Sequence, residues 1–186
     1  MRSFIALEIP AALRSALAAA EARLARTEAD VKWVEVDNLH LTLKFLGDVA
    51  PERLPQLQES LSELVTTRRP FELSVAGLGA FPSLAEPNVI WAGLANGASE
   101  CTALWRAVEE ACARLGYPRE RKPFTPHLTL GRRRSGYNLS ALSHALRTDA
   151  DTTFGVAMID GMTLYRSDLR PSGPVYTKLG EYRFGG

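Results

Sequence analysis

The chain has 186 residues, of which 46% are hydrophobic and 23% charged, and its formal net charge is +1. This length suits one medium-sized domain or two small lobes that share a core. The near-neutral charge argues against a protein that coats nucleic acid by bulk electrostatic attraction, although a local anion site remains open. No apolar run approaches the roughly 18 residues of a membrane span, and the amino-terminal stretch lacks the features of a signal peptide. We therefore expect a cytoplasmic protein.

Hydrophobic periodicity predicts that strands and helices alternate along the chain. In chain order, the predicted elements are a strand in RSFIALEI, a helix in AALRSALAAAEARLAR, strands in VKWVEV and LHLTLKFL, a helix in PERLPQLQESLSELV, strands in FELSVAGL and NVIWAGL around the loop GAFPSLAEP, a helix in SECTALWRAVEEACARLG, a strand in the second HLTL, a short helix in NLSALSHALR, and final strands in GVAMIDGMTLYRS and VYTKLGEYRF. Several strand pairs have connections too short for a parallel crossover. We therefore predict an α+β fold, with residues 1–186 in a single two-lobed domain.

The two cysteines, Cys101 and Cys112, fall on the apolar stripe of one predicted helix. They would lie about 16 Å apart along that helix, whereas a disulfide needs Cα atoms within about 7 Å. We interpret both as small core residues rather than as metal ligands or nucleophiles.

Two of the three histidines, His40 and His127, begin the same tetrapeptide, His-Leu-Thr-Leu. On a strand, the histidine and threonine of each copy share one face and the two leucines share the other. Burial of the leucines would hold each strand in place, and His40 with Thr42, like His127 with Thr129, would point toward something polar. If the two halves are related by a pseudo-twofold axis, the two pairs face each other across a cleft.

This arrangement suits transfer at a phosphodiester. The reaction needs a base for the nucleophile and an acid for the leaving oxygen, and imidazole with a reference pKa of about 6.5 can play either role. Two threonine hydroxyls can donate to the non-bridging phosphate oxygens. The set requires no metal. The third histidine, His144, lies opposite the apolar face of its predicted helix and is interpreted as a surface residue.

Basic residues surround the second tetrapeptide. Between positions 119 and 134 there are six of them and one acid, Glu120, and because the segment brackets the second tetrapeptide we interpret it as a phosphate-binding patch rather than as a solvated loop. The basic residues are Arg119, Arg121, Lys122, Arg132, Arg133 and Arg134. Lys44 shares strand parity with His40, which leaves open a contact to a second phosphate or a plain surface position. Three aromatic residues are interpreted as core residues: Phe4, Trp33 and Trp91.

The paired tetrapeptides resemble the two HxTx signatures of the two-histidine (2H) phosphoesterase superfamily. The surrounding stretches resemble its RNA 2′,3′-cyclic phosphodiesterase branch, also called 2′–5′ RNA ligase-like proteins. They are RSFIALEIP, VKWVEVDNLHLTLKFLGDV, NVIWAGL, PFTPHLTLGR and LYRSDLRPSGPVYTKLGEY. The resemblance implies two pseudo-twofold-related antiparallel sheets with outer helices and a central cleft. It also implies opening of a terminal 2′,3′-cyclic phosphate on RNA to a 2′-phosphate, without metal or cofactor, and ligation of 2′–5′ bonds as the reverse chemistry.

The resemblance also implies a role for each site residue. His40 matches the proton donor and His127 the proton acceptor, a division that the two identical tetrapeptides cannot make by themselves. Thr42, Thr129 and Arg132 match phosphate-binding positions. Strict strand alternation turns Arg133 rather than Arg132 toward the cleft, so the assignment of Arg132 requires a bulge in the strand. We expect a monomer that acts on RNA ends and does not engage membranes.

Two other interpretations compete with this one. His40 and His127 could instead bind a metal ion, but no carboxylate or thiolate lies at ligand spacing. Alternatively, the chain could be a non-catalytic module that binds RNA ends without turnover.

Overall fold

The computed structural model describes residues 1–171 and 173–185. Within these residues the chain forms nine strands and four α-helices. The strands are β1 (Arg2–Glu8), β2 (Val31–Trp33), β3 (His40–Asp48), β4 (Phe71–Pro82), β5 (Pro87–Asn96), β6 (Leu128–Arg133), β7 (Thr153–Ile159), β8 (Gly161–Arg170) and β9 (Gly173–Arg183). The helices are α1 (Ala11–Ala25), α2 (Leu54–Val65), α3 (Ala98–Arg114) and α4 (Leu139–Thr148). The predicted α+β fold is confirmed.

All the described strands belong to one antiparallel sheet, in the order β7-β4-β5-β6-β3-β1-β8-β9, with β2 paired to β6. The two strands that carry the repeated tetrapeptide, β3 and β6, are neighbours at its centre. They share a single pair of Cα partners, Leu41 and Leu128. The two expected sheets are thus joined into one at this point, with β4–β7 and β2 on one side and β1, β3, β8 and β9 on the other.

The helices cover the sheet as the apolar stripes predicted. Helix α1 contacts β7 and α4, whereas α2 contacts β9 and α3 contacts β3. The leucines of both tetrapeptides, Leu41, Leu43, Leu128 and Leu130, are buried in the core. These leucines therefore hold the central strands against the core.

The two cysteines are buried and free, as predicted. Burial raises the pKa of the Cys101 thiol to about 12 and that of Cys112 to about 11. Because the thiolate is the reactive form of cysteine, both side chains are inert core residues at neutral pH.

Three predicted boundaries were wrong. GVAMIDGMTLYRS forms two strands, because the chain leaves β4 at the end of β7 and joins β1 and β9 at the start of β8. Only the first half of VKWVEV is a strand, and Val36–Asn38 forms a 3₁₀ turn into β3. The first four residues of the predicted loop GAFPSLAEP extend β4 to Pro82, where Gly79 lies opposite Trp91 and leaves room for the indole ring. Within the described residues, no helix combines the length and apolarity needed to cross a membrane.

Candidate active site

A cleft of about 700 Å³ lies where the two halves of the sheet meet. Its lining includes all five residues that were matched to catalytic or phosphate-binding positions, which are His40, Thr42, His127, Thr129 and Arg132. Side chains 87 positions apart in the chain are thus brought to one cavity by the neighbouring positions of β3 and β6.

A β-bulge at Leu130 determines which arginine faces the cleft. The residues on either side of Leu130 pair with consecutive residues of β5, so Leu130 is the extra residue. Alternation then resumes with the opposite parity, and Arg132 lines the cleft. Arg133 falls on the other face, where its Nε donates to Oδ1 of Asn88 at 3.0 Å.

The first tetrapeptide has a bulge at the same position, Leu43, three residues after its histidine. The parity expected for Lys44 is therefore wrong. Lys44 is only 5% exposed, and its Nζ donates to Oε1 of Glu109 at 2.5 Å and to the carbonyl oxygen of Pro118 at 2.9 Å. Phe45 takes the face of His40 instead and is 63% exposed beside the cleft.

His40 is held by its backbone and by aromatic rings. Its Nδ1–H donates to the carbonyl oxygen of Asn38 at 2.6 Å, because a carbonyl can only accept, and its Nε2 lies 3.0 Å from Oγ1 of Thr42. The rings of Phe4 and Tyr176 lie 4.9 and 5.5 Å from the imidazole. Burial lowers the pKa of His40, although the bond to Asn38 opposes that shift.

His127 has a matching environment. Its Nδ1–H donates to the carbonyl oxygen of Thr125 at 2.6 Å, again two residues earlier in the chain. Phe81 packs edge-on at 5.1 Å, and the ring of Trp91 lies 6.2 Å away. Burial lowers the pKa of His127, the bond to Thr125 opposes this, and the positive charge of Arg132 lowers the pKa further.

Two of the four aromatic neighbours of the histidines, Phe81 and Tyr176, were missed from the sequence. Phe4 is buried as predicted, at 2% exposure, and Trp33 and Trp91 are partly buried. Phe81 was placed in a loop, and Tyr176 lies in an unremarkable strand. No local pattern marks these rings, because only the strand order brings them to the imidazoles.

The cleft presents few metal ligands. In residues 1–171 and 173–185, no group of three or more His, Cys, Asp or Glu side chains is arranged to hold a metal ion. The carboxylates that line the cleft are Glu109 and Glu120, and Glu109 is bonded to Lys44. His144 is exposed on α4, as predicted.

The basic segment before His127 is anchored to α3. Glu109 accepts from Lys44 through one carboxylate oxygen and from the backbone N–H of Glu120, at 3.0 Å, through the other. Further along, Phe124 stacks on Trp105 with ring centroids 5.1 Å apart. These contacts link the strand of the first tetrapeptide to the segment that leads into the second.

Comparison with known proteins identifies the family. A family model described as LigT-like phosphoesterase matches residues 7–91 and 94–176. The RNA 2′,3′-cyclic phosphodiesterase of Methanothermobacter thermautotrophicus is 32% identical over 183 residues, which cover 98% of each chain. The crystal structure of TT0787 from Thermus thermophilus superposes with a TM-score of 0.85 at 31% identity, over 100% of this chain and 99% of that one. The structure of Escherichia coli LigT with 3′-AMP gives 0.79 at 26% identity, over 100% and 98%. This chain belongs to the LigT-like phosphoesterase family, a two-histidine phosphoesterase family.

Proposed function

We propose that this chain hydrolyses the terminal 2′,3′-cyclic phosphate of RNA to a 2′-phosphomonoester by paired-histidine acid–base catalysis. The observation that carries the proposal is the matched setting of His40 and His127 in one cleft, each with Nδ1 bonded to a carbonyl at 2.6 Å. The name of the Methanothermobacter relative, RNA 2′,3′-cyclic phosphodiesterase, supports the substrate class. Because each half of the sheet supplies one histidine, we propose that residues 1–186 act as one domain and that a monomer suffices.

His127 is the general base in this proposal. Its Nδ1 carries the proton shared with Thr125, so Nε2 of the neutral ring has a free lone pair. Burial, and to a smaller extent the charge of Arg132, favour the neutral ring by lowering the pKa of His127. Nε2 takes a proton from water as the water oxygen attacks phosphorus.

His40 is the general acid. As the bond between phosphorus and the 3′ oxygen breaks, Nε2–H of His40 donates its proton to that oxygen and a free 3′-hydroxyl results. Burial favours neutral His40 in the free protein. The negative charge of the bound phosphate would raise the pKa of His40 again, so that the ring is protonated when it acts as the acid.

Hydroxyls and a guanidinium complete the site. Thr42 and Thr129 lie on the cleft wall beside the histidines, where their hydroxyls can donate to the non-bridging oxygens. Arg132 supplies a positive charge close enough to His127 to affect its titration. These groups replace the charge stabilisation that a metal ion would provide, so the reaction we propose needs no metal. With a 5′-hydroxyl in the place of water, the same steps form a 2′–5′ bond, which is the ligation we expect.

The test is incubation with a short RNA that ends in a 2′,3′-cyclic phosphate, in the presence of a chelator. We expect a 2′-monophosphate product. A 3′-monophosphate would reverse the leaving group, and activity that returns only with a divalent ion would favour a metal site. Binding without any product would favour the alternative, an RNA-end-binding module.

A further inference from the structure

Lys32 lies directly across from Arg132 in the sheet. The register of β2 and β6 makes these two residues Cα partners, so their side chains share one face. Val31 and Trp33, on either side of Lys32, pack against the hydrophobic core. Since side chains alternate along a strand, Lys32 points to the opposite face, which is the cleft face that Arg132 occupies.

Two like charges in this position repel each other. Directly opposed side chains have Cβ atoms about 4.5–5.5 Å apart, and like charges there destabilise a sheet. Both side chains are exposed. In the part of the chain that the structure describes, neither side chain forms an ion pair within 4.0 Å of a carboxylate. The carboxylate of Glu35 lies in the same region as Lys32 Nζ, because both groups are close to Gly173 at the start of β9. An anion between the two cations would remove the repulsion.

The charges of the cleft favour an anion at this end. Because β3 and β6 are antiparallel, the segments after the two histidines run in opposite directions. The carboxylates of the cleft, Glu109 and Glu120, lie at the end beside Lys44. Arg132 lies at the other end, next to Val89 of β5. Lys44 and Lys122 balance these two carboxylates, so that end is close to neutral, whereas the other end holds the cations Arg132 and Lys32 and attracts a negatively charged strand.

We propose that Lys32 and Arg132 form a second anion site, which binds the phosphodiester on the 5′ side of the terminal nucleotide. The inference rests on the proposed function and narrows its substrate class, because an RNA strand carries this phosphate and a cyclic mononucleotide does not. Arg132 is shared between the two phosphates, because it is the Cα partner of Lys32 and its charge also lowers the pKa of His127. Lys32 is therefore the residue that favours an RNA strand over a cyclic mononucleotide as the substrate.

The experiment compares two substrates, a nucleoside 2′,3′-cyclic monophosphate and a dinucleotide with the same end. We expect Lys32→Ala to lower kcat/KM on the dinucleotide by about threefold to tenfold, the range of an ordinary hydrogen bond, because Lys32 is exposed, and to leave the mononucleotide unchanged. Lys32→Arg should retain the preference. Arg69→Ala, which removes an exposed cation that does not line the cleft, is the control and should not change the ratio of the two substrates.

A dinucleotide with a neutral methylphosphonate linkage isolates the charge. On this substrate the wild type should lose at least as much kcat/KM as Lys32→Ala loses on the natural dinucleotide, and Lys32→Ala should show no further loss relative to the wild type. Equal loss on both substrates, or no loss on either, would overturn the second anion site. The affinity for the product, the dinucleotide 2′-phosphate, can be measured at several salt concentrations without turnover. Lys32→Ala should reduce the slope of log affinity against log salt concentration by about one. Failure of wild type to hydrolyse either substrate would instead refute the proposed function.

Discussion

His40 and His127 each donate Nδ1–H to the carbonyl oxygen two residues earlier, at the same distance of 2.6 Å. The two bonds set the same tautomer in both rings and leave Nε2 as the working atom. They also orient the rings through the backbone, in addition to the aromatic side chains that pack against each imidazole.

Substitution of either histidine should abolish most of the activity. We expect His40→Ala and His127→Ala each to lower kcat about 10²–10⁴-fold, the usual range for acid–base residues. Steady-state assays on RNA with a cyclic end measure the loss, and thermal melting should show a folded protein. His144→Ala is the control, since this exposed histidine lies on α4 outside the cleft. A His40 or His127 variant with wild-type kcat would remove that residue from the mechanism.

The rate should depend on pH in a bell-shaped manner. Burial lowers the pKa of both histidines below the ordinary value of 6.5. The acidic limb of kcat/KM, which reports protonation of the base His127, should therefore have its midpoint below pH 6.5. The same shifts affect folding, because the unfolded chain binds these protons more readily. The stability that neutral His40 and His127 contribute is present above about pH 6.5 and is lost as the pH falls through their folded values. A flat rate profile, with chemistry shown to be rate-limiting, would contradict the paired-imidazole mechanism.

Glu21 should make the protein less stable as the pH rises. It is 7% exposed on α1, one of its carboxyl oxygens has no partner among the described residues, and burial raises its pKa to about 8. The protonated form is favoured in the folded chain, so its stability contribution is full below pH 4.5 and is lost as the pH rises toward 8. Glu21→Gln should therefore raise the free energy of unfolding at pH 8 by a few kcal/mol, at about 1.4 kcal/mol per pKa unit.

Urea denaturation at pH 4.5 and pH 8 tests this expectation. The gain from Glu21→Gln should be small at the lower pH. Glu59→Gln, which neutralises an exposed glutamate on α2, should show little change at either pH. An equal effect of Glu21→Gln at both pH values would mean that Glu21 does not titrate as its burial predicts.

The buried pair of Lys44 and Glu109 should matter for folding and for activity in different ways. Removal of one partner, as in Glu109→Gln, leaves a buried charge and should cost about 3–5 kcal/mol of stability. The double variant Lys44→Met with Glu109→Leu should be much more stable than the single losses suggest. Its kcat should nevertheless be lower than that of the wild type, because the contacts to Pro118 and Glu120 that anchor the segment before His127 are gone. Full activity in the folded double variant would show that the anchor is dispensable.

Arg132 and Arg133 should differ sharply although they are adjacent. Arg132→Ala removes a cation from the cleft and should lower kcat/KM by about tenfold or more, as expected for a charged contact. Arg133→Ala removes only the contact to Asn88 on the other face and should have little effect on turnover. The reverse order of the two losses would place Arg133 at the phosphate.

The sequence was most informative where a residue pattern repeats. The two tetrapeptides predicted the central strands, the buried leucines and the shared face of each His-Thr pair, because strand alternation is a local property. It was misleading for Lys44 in the first strand, since the bulge at Leu43 reverses the alternation that follows. Bulges depend on the register of the neighbouring strand and leave no signal in a single chain.

The residues around the histidines show a second limit. Phe81 and Tyr176 reach the imidazoles from strands that are distant in the chain, so only the completed sheet order identifies them. The partnership of Lys32 with Arg132 is likewise a consequence of β2 pairing with β6, which no local pattern indicates.

The extra leucine in each central strand inverts the facing of every side chain that follows it in the central part of the strand. The histidine and threonine come before it and are unaffected, whereas Phe45 and Arg132 come after it and are delivered to the cavity. Two halves with the same reactive groups thereby present an aromatic ring at one position and a guanidinium at its counterpart. If either strand kept its leucine but paired without the bulge, strict alternation would turn Lys44, or Gly131 and Arg133, toward the bound nucleotide instead.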